Sequence, residues 1–173
     1  MHFRRATLND IETVTRLYRE VARRSGGIAR TESEITEKYI GEWARSSIQT
    51  GFWMVAEVGG KVIGSIHAIR PEIEIFAHML TALTIVIDPD HQGKQVGRGL
   101  FSAFLSEIIT TRPDVFRIEL FAKESNPRAI AFYETLGFQR EGRFVNRVQR
   151  RDANGIQSFV SDTPMAWLRA PGH

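Results

Sequence analysis

The chain is 173 residues long, 42% hydrophobic and 25% charged, with a formal charge of only +3. That length suits one domain around one sizeable core, and so small a charge argues against a nucleic-acid partner. The absence of cysteine excludes disulfides, a thiol nucleophile and thiolate-held metal. No apolar run approaches 18 residues and no secretory h-region is present, so neither a membrane span nor export is expected.

Phe3 to Ala6 reads as a short strand. Thr7-Leu8-Asn9-Asp10 then starts a helix whose apolar stripe is Ile11, Val14, Leu17, Tyr18 and Val21. Ser25-Gly26-Gly27 breaks it, and the capping-box character of Thr31-Glu32-Ser33-Glu34 predicts a second helix from Thr31 or Ser33, carrying Ile35, Tyr39, Ile40 and Trp43. Phe52 to Val58 and Lys61 to Arg70 are strands joined by Gly59-Gly60, a two-residue hairpin signal. Ile73 to His78 form a linker or strand extension, and Leu80 to Ile87 the next strand.

That strand feeds Asp88-Pro89-Asp90-His91-Gln92-Gly93-Lys94-Gln95-Val96-Gly97-Arg98-Gly99, a glycine-rich basic turn that opens into a helix over Val96 to Thr110. Such a turn presents main-chain N–H groups and a helix start to a phosphate. Lys94 is not followed by Ser or Thr, and Ser102 stands where a third glycine would be needed, so neither a Walker loop nor a dinucleotide fingerprint is present. A strand over Val115 to Ala122 follows, then a helix from Asn126 to Leu136. Asn126 is its N-cap, Pro127 its first residue, and Ala129, Phe132, Tyr133 and Leu136 its apolar stripe. Gly137 ends it in a left-handed turn. Phe138 to Gln149 and Gln157 to Leu168 read as a terminal hairpin around Asp152-Ala153-Asn154-Gly155. The order β-α-α-β-β-β-α-β-α-β-β describes one domain over 1–173: a three-layer α/β/α arrangement around a central mixed, mostly antiparallel sheet.

Gln92, Gly97 and Arg98-Gly99-Leu100, with Asn126, Ala129, Tyr133, Gly137 and Phe138, resemble the two signature motifs of the GNAT-type N-acetyltransferase superfamily. The resemblance implies acetyl-CoA as co-substrate, no metal, and direct acetyl transfer to a primary amine of a small molecule or a protein N-terminus. It places the coenzyme diphosphate on the amides of Gln92, Gly93, Lys94, Gln95, Val96, Gly97 and Arg98. It places the pantetheine arm along the edge Ile85, Val86 and Ile87 and against Asn126, and makes Tyr133 the acid for the departing thiolate. A cytoplasmic protein, often a homodimer, acting without nucleic acid or membrane, is the further expectation.

Two departures bear on this. Relatives carry a glutamate base where this chain has Thr81 or Phe121, leaving Glu119, Glu74, His67, His78 or a water relay. Glu119 is the candidate taken as catalytic. The family also usually has glycine where this chain has Gln95, which serves there if its φ is negative and its side chain points to solvent. A silent acyl-CoA sensor or partner-binding domain on the same fold is the alternative these departures motivate. The run Arg140, Arg143, Arg147, Arg150 and Arg151 reads as a solvated basic face, or as a contact for an acidic acceptor or for the coenzyme 3′-phosphate. Trp43, Phe52 and Trp53 suit either the acceptor side or the core.

Overall fold

The computed structural model describes residues 1–25, 28–151 and 156–170. Its strands are β1 (His2–Arg5), β2 (Phe52–Val58), β3 (Lys61–Ile69), β4 (Met79–Ile87), β5 (Arg117–Lys123), β6 (Gln139–Arg140), β7 (Phe144–Arg151) and β8 (Gln157–Leu168). The helices are α1 (Ile11–Ser25), α2 (Glu37–Gln49), α3 (Val96–Thr111) and α4 (Pro127–Glu134). The sheet runs β1-β2-β3-β4-β5-β8-β6, with β7 also on β8. Among the described strands only β4 and β5 are parallel neighbours, so the sheet is mixed and mostly antiparallel, as expected.

Each face of the sheet carries its own core. On one, Phe52, Met54, Ala56, Ile63, Ile118 and Leu120 pack with Leu100, Phe101, Phe104 and Ile108 of α3. On the other, Trp53, Val55, Val62 and Val86 pack with α1 and α2 through Val14, Tyr18, Ile40 and Trp43. β2 is therefore apolar at consecutive positions, because alternate side chains enter different cores. Trp43, Phe52 and Trp53 all belong to these cores.

Two expectations need correction. The Thr31–Glu34 box forms, with Thr31 N–H donating to Glu34 Oε2 at 2.8 Å, but it caps a 3-10 turn; α2 begins at Glu37, where Thr36 Oγ1 accepts from Tyr39 N–H at 3.1 Å. A polar box without an apolar stripe behind it has nothing to bury, so only one turn forms. The expected strand over 138–149 is two strands. β6 pairs with Met165 and Ala166, β7 with β8 from Asp162 onward, and Gly142 lies between them at φ 146°. The break falls at Pro164, which has no N–H to give the ladder; its carbonyl accepts from Glu141 N–H at 2.9 Å. Gly59 and Gly60 form the expected hairpin turn at φ 57° and 77°. Gly26, Gly27 and the turn 152–155 lie outside the described residues.

The feature that positions the site is the separation of β4 from β5. They pair only at Met79 with Arg117 and Leu80 with Ile118, then diverge. Just past that point Ala82 adopts φ 53°, and Ala82 and Leu83 together stand opposite the single Ala68 of β3. This bulge bends β4 away from β5 and opens the sheet.

Candidate active site

A cavity of about 970 Å³ lies along this opening. Ile85, Val86 and Ile87 of β4 form one wall, the turn Gln92, Gly93, Gln95, Val96, Gly97 and Arg98 a second, and Asn126 with α4 a third. Ten of the sequence-predicted binding residues thus meet at one place. Lys94 is exposed in the same turn but does not line the cavity. The alternation of the β3–β4 ladder separates the edge residues. Asp88 N–H donates to Ile63 O at 2.9 Å, so the backbone groups of Val86 also point to β3, whereas those of Ile85 and Ile87 face the gap. Gln92 Nε2 reaches Ile87 O from that side at 3.3 Å.

The turn is held open from beneath. Asp88 is buried, accepts from Asp90 N–H at 2.9 Å and Lys61 Nζ at 3.2 Å, and faces His91 Nδ1 at 3.4 Å. Burial pushes its pKa up, but these donors outweigh burial and hold it below the usual carboxylate range. Arg24 at the end of α1 grips Asp90 at 2.8 Å. The first amide bonded into α3 is Gly99 N–H, to Gln95 O at 3.0 Å, which leaves the N–H groups of Val96, Gly97 and Arg98 as the orphan donors of a helix start. Gln95 sits at φ 64°, the left-handed region, contrary to the negative φ its side chain would favour, with that side chain exposed. Gly93, at φ 75°, has open space where a Cβ would stand. Orphan amides at a helix start, beside a long groove with a free strand edge, suit a phosphate group carrying an extended amide-bearing arm.

α4 contributes Arg128, Ala129, Ala131, Phe132 and Thr135 to the lining, with Val21 of α1 opposite. Sequence reasoning missed most of these, although 128, 131, 132 and 135 recur at helical spacing. The buried residue of α4 is Ile130; Ala129, Phe132, Tyr133 and Leu136 are half-buried, and of these Ala129 and Phe132 line the cavity. Arg98 bridges the two helices, donating to Thr135 Oγ1 at 3.3 Å.

Tyr133 is not in the lining. Its ring lies next to Phe132, against Phe101 and Phe138, with centroids 5.6 to 6.1 Å apart. Burial pushes its phenol up to about 12, so it is protonated at neutral pH. Glu119 lies on the opposite face of β5 from Ile118 and Leu120. It accepts from Arg117 Nε at 2.6 Å and Thr81 Oγ1 at 3.4 Å, and Arg117 also grips Glu141. His67 is a core residue: 3% exposed, stacked on Trp43 at 3.6 Å, with Nδ1 3.1 Å from Tyr18 Oη. Burial holds its pKa down to about 3, which removes it as a base. Glu74 and His78 are exposed in the segment before β4, away from the turn that follows it. Among the described residues no group of three His, Asp or Glu could hold a metal, and no helix is long and apolar enough to cross a membrane.

Residues 49–140 match the family model for the acetyltransferase (GNAT) domain, more than half of the chain. A spermidine N(1)-acetyltransferase of Vibrio cholerae is 36% identical over 74 residues, 42% of this chain and 42% of that protein. A mycothiol acetyltransferase of Salinispora tropica is 28% identical over 116 residues, 61% of this chain and 38% of that protein. The matches thus span about two-fifths of the length of these curated relatives. Among solved structures, a ribosomal-protein-alanine N-acetyltransferase from Brucella melitensis superposes with a TM-score of 0.83 at 19% identity, covering 98% of this chain and 100% of that one. A putative acetyltransferase from Salmonella typhimurium, solved with its cofactor acetyl-CoA, gives 0.83 at 19% identity, covering 99% and 97%. At such identities these two show the fold.

Proposed function

The chain belongs to the acetyltransferase (GNAT) domain family, and from that membership we propose that it is an N-acetyltransferase moving an acetyl group from acetyl-CoA to a primary amine of a small molecule or a protein N-terminus. The observation that carries the reading is the cavity between β4 and α4, which puts orphan amides, a free strand edge and Asn126 in one groove. The amides of Gly93 to Arg98 would hold the diphosphate, and the backbone of Ile85 and Ile87 the pantetheine arm. The curated relatives are named for spermidine and for mycothiol, both small molecules, which supports a small-molecule acceptor.

The transfer forms one N–C bond and breaks one C–S bond. The neutral amine attacks the thioester carbonyl, a gap-facing N–H of β4 steadies the oxyanion, and the amine loses one proton. The thiolate leaves with the proton of Tyr133. A phenol at about 12 is a weak acid, but the same dry surroundings raise the proton affinity of the thiolate, which keeps the two matched. Both oxygens of Glu119 already have donors, so it receives the amine proton through water rather than by direct contact.

The test is calorimetry with CoA, followed by thiol release against a panel of amines. Binding with turnover is expected. No binding at millimolar CoA would sink the reading, and binding without turnover would favour a silent acyl-CoA sensor. Tyr133→Phe should slow turnover about 100-fold or more with CoA affinity retained; an unchanged rate removes Tyr133 as the acid.

A further inference from the structure

The basic run from Arg140 on β6 into β7 is not a uniform solvated face. Arg140 pairs with Glu134, and Arg143 forms a two-pronged pair with Glu124. Arg147 differs. Its guanidinium lies 3.9 Å from the ring centroid of Phe121 and 5.0 Å from that of Phe144. Among the described residues its nearest carboxylate oxygen is Asp162 Oδ2 at 3.7 Å, too long for a hydrogen bond. The backbone is distorted to put it there. Three β7 residues stand opposite the single Ser161, and Asn146 takes φ 54°, with its N–H on Ser161 Oγ at 3.2 Å. A bulge of this kind re-aims a side chain at a cost in backbone strain.

The place it is aimed at is the edge of the gap. Phe121 and Lys123 lie on β5 beyond its last residue paired with β4. They point away from the core formed by Ile118, Leu120 and Ala122. The helices on this side, α1 and α2, pack on β2, β3 and β4, and both rings remain open: Phe121 is 40% exposed and Phe144 44%. Arg147 and Lys123 both lie near the buried carboxylate of Asp162, and Arg150 lies near Lys123. Lys123 stands directly across from Asp162 on β8.

We propose that Arg147, braced on Phe121 and Phe144, receives a carboxylate of the acceptor, so that the substrate is an amine that also carries a carboxylate and an apolar portion, such as an amino acid or a peptide end, and not a polyamine. This rests on the acyl-transfer reading above. A guanidinium stacked on aromatic rings keeps its N–H edges free, and its planar fork matches a carboxylate. The rings offer contact to the apolar portion. A polycationic amine would meet like charge at Lys123, Arg147 and Arg150.

The test uses the full chain with acetyl-CoA, following thiol release with leucine against leucinamide, methionine against methioninamide, and spermidine, each rate taken per neutral amine. The acids should exceed their amides in kcat/KM by about tenfold or more. Arg147→Gln should abolish that preference by raising the KM for the acid while the KM for acetyl-CoA stays in place, and Arg147→Lys should retain part of it. If Arg147→Gln proves poorly folded by thermal melting, Phe121→Leu, which removes one of the rings bracing the guanidinium, provides the second variant and should lower the same ratio. Equal rates for acid and amide, or an unchanged ratio in a folded Arg147→Gln, would overturn the inference. Spermidine turned over faster than any acid would overturn it while leaving acyl transfer intact. Thiol release with none of these amines, despite CoA binding, would bring down both.

Discussion

Gly97→Ala separates the stability of α3 from the work of its first turn. An ideal Cβ at Gly97 would meet only Ile87 Cγ1, at 3.6 Å, an ordinary contact. The residue is helical, so alanine should stabilise the fold by about 0.5–1 kcal/mol, or raise the melting temperature by roughly 1–4 °C for a chain of this size. The same methyl projects into the cavity wall beside the free amides of Val96 and Arg98. Losing one amide-to-phosphate bond is worth about 1.5–3 kcal/mol, which weakens CoA binding about 10- to 100-fold. Gly64→Ala is the comparator. Its Cβ would stand 2.9 Å from Ile87 Cδ1 and 3.3 Å from both Ala56 Cβ and Leu100 Cδ2, inside the packed α3 interface. It should destabilise by about 1–3 kcal/mol. Melting curves and CoA calorimetry on both variants read the two effects. A Gly97→Ala protein that is more stable and binds CoA as tightly as the parent refutes the placement of the diphosphate on this turn.

Gln95→Gly should stabilise the protein by about 0.5–1 kcal/mol in urea unfolding, because a left-handed φ of 64° strains glutamine and not glycine, less the larger unfolded-state entropy of glycine. Arg169→Ala should cost about 2–4 kcal/mol by the same measurement. The buried guanidinium donates to the carbonyls of Ile108 at 3.2 Å, Ile109 at 3.1 Å, Arg112 at 2.9 Å and Val115 at 2.8 Å, and alanine leaves the C-terminal end of α3 unanswered. Stability should fall with acid over the window set by His67. Its folded pKa of about 3 lies below the unfolded value near 6.5, so between these the unfolded chain binds a proton that the native one refuses. Stability is fully present above pH 6.5 and drops by up to about 1.4 kcal/mol per pH unit below it; in His67→Gln that part of the slope should vanish from the pH series.

The local patterns of the chain determined most of its elements and the position of the phosphate-type turn. Gly59-Gly60 takes a positive φ that other residues resist, Asn126-Pro127 caps and starts a helix unaided, and apolar residues of period 3.6 find the core face of α3. These are short-range preferences, carried by a few neighbouring residues. The Thr31 box shows their limit, since its hydrogen bonds form but the helix waits for Thr36. What tertiary structure alone decided lies where distant segments meet. The bulge at Ala82 opens the sheet because Ala68 leaves it no partner, and no local signal marks it. Burial against Phe101 raises the phenol of Tyr133, burial against Trp43 lowers His67, and Arg117 grips Glu119, surroundings that no neighbouring residue in the sequence announces. Arg147 is one of the five arginines in the run from 140 to 151 and becomes distinct only when a bulge lays it on Phe121, 26 positions earlier in the chain. Charge and proton affinity are set by what lies within a few ångströms, and in this fold those neighbours come from remote parts of the chain.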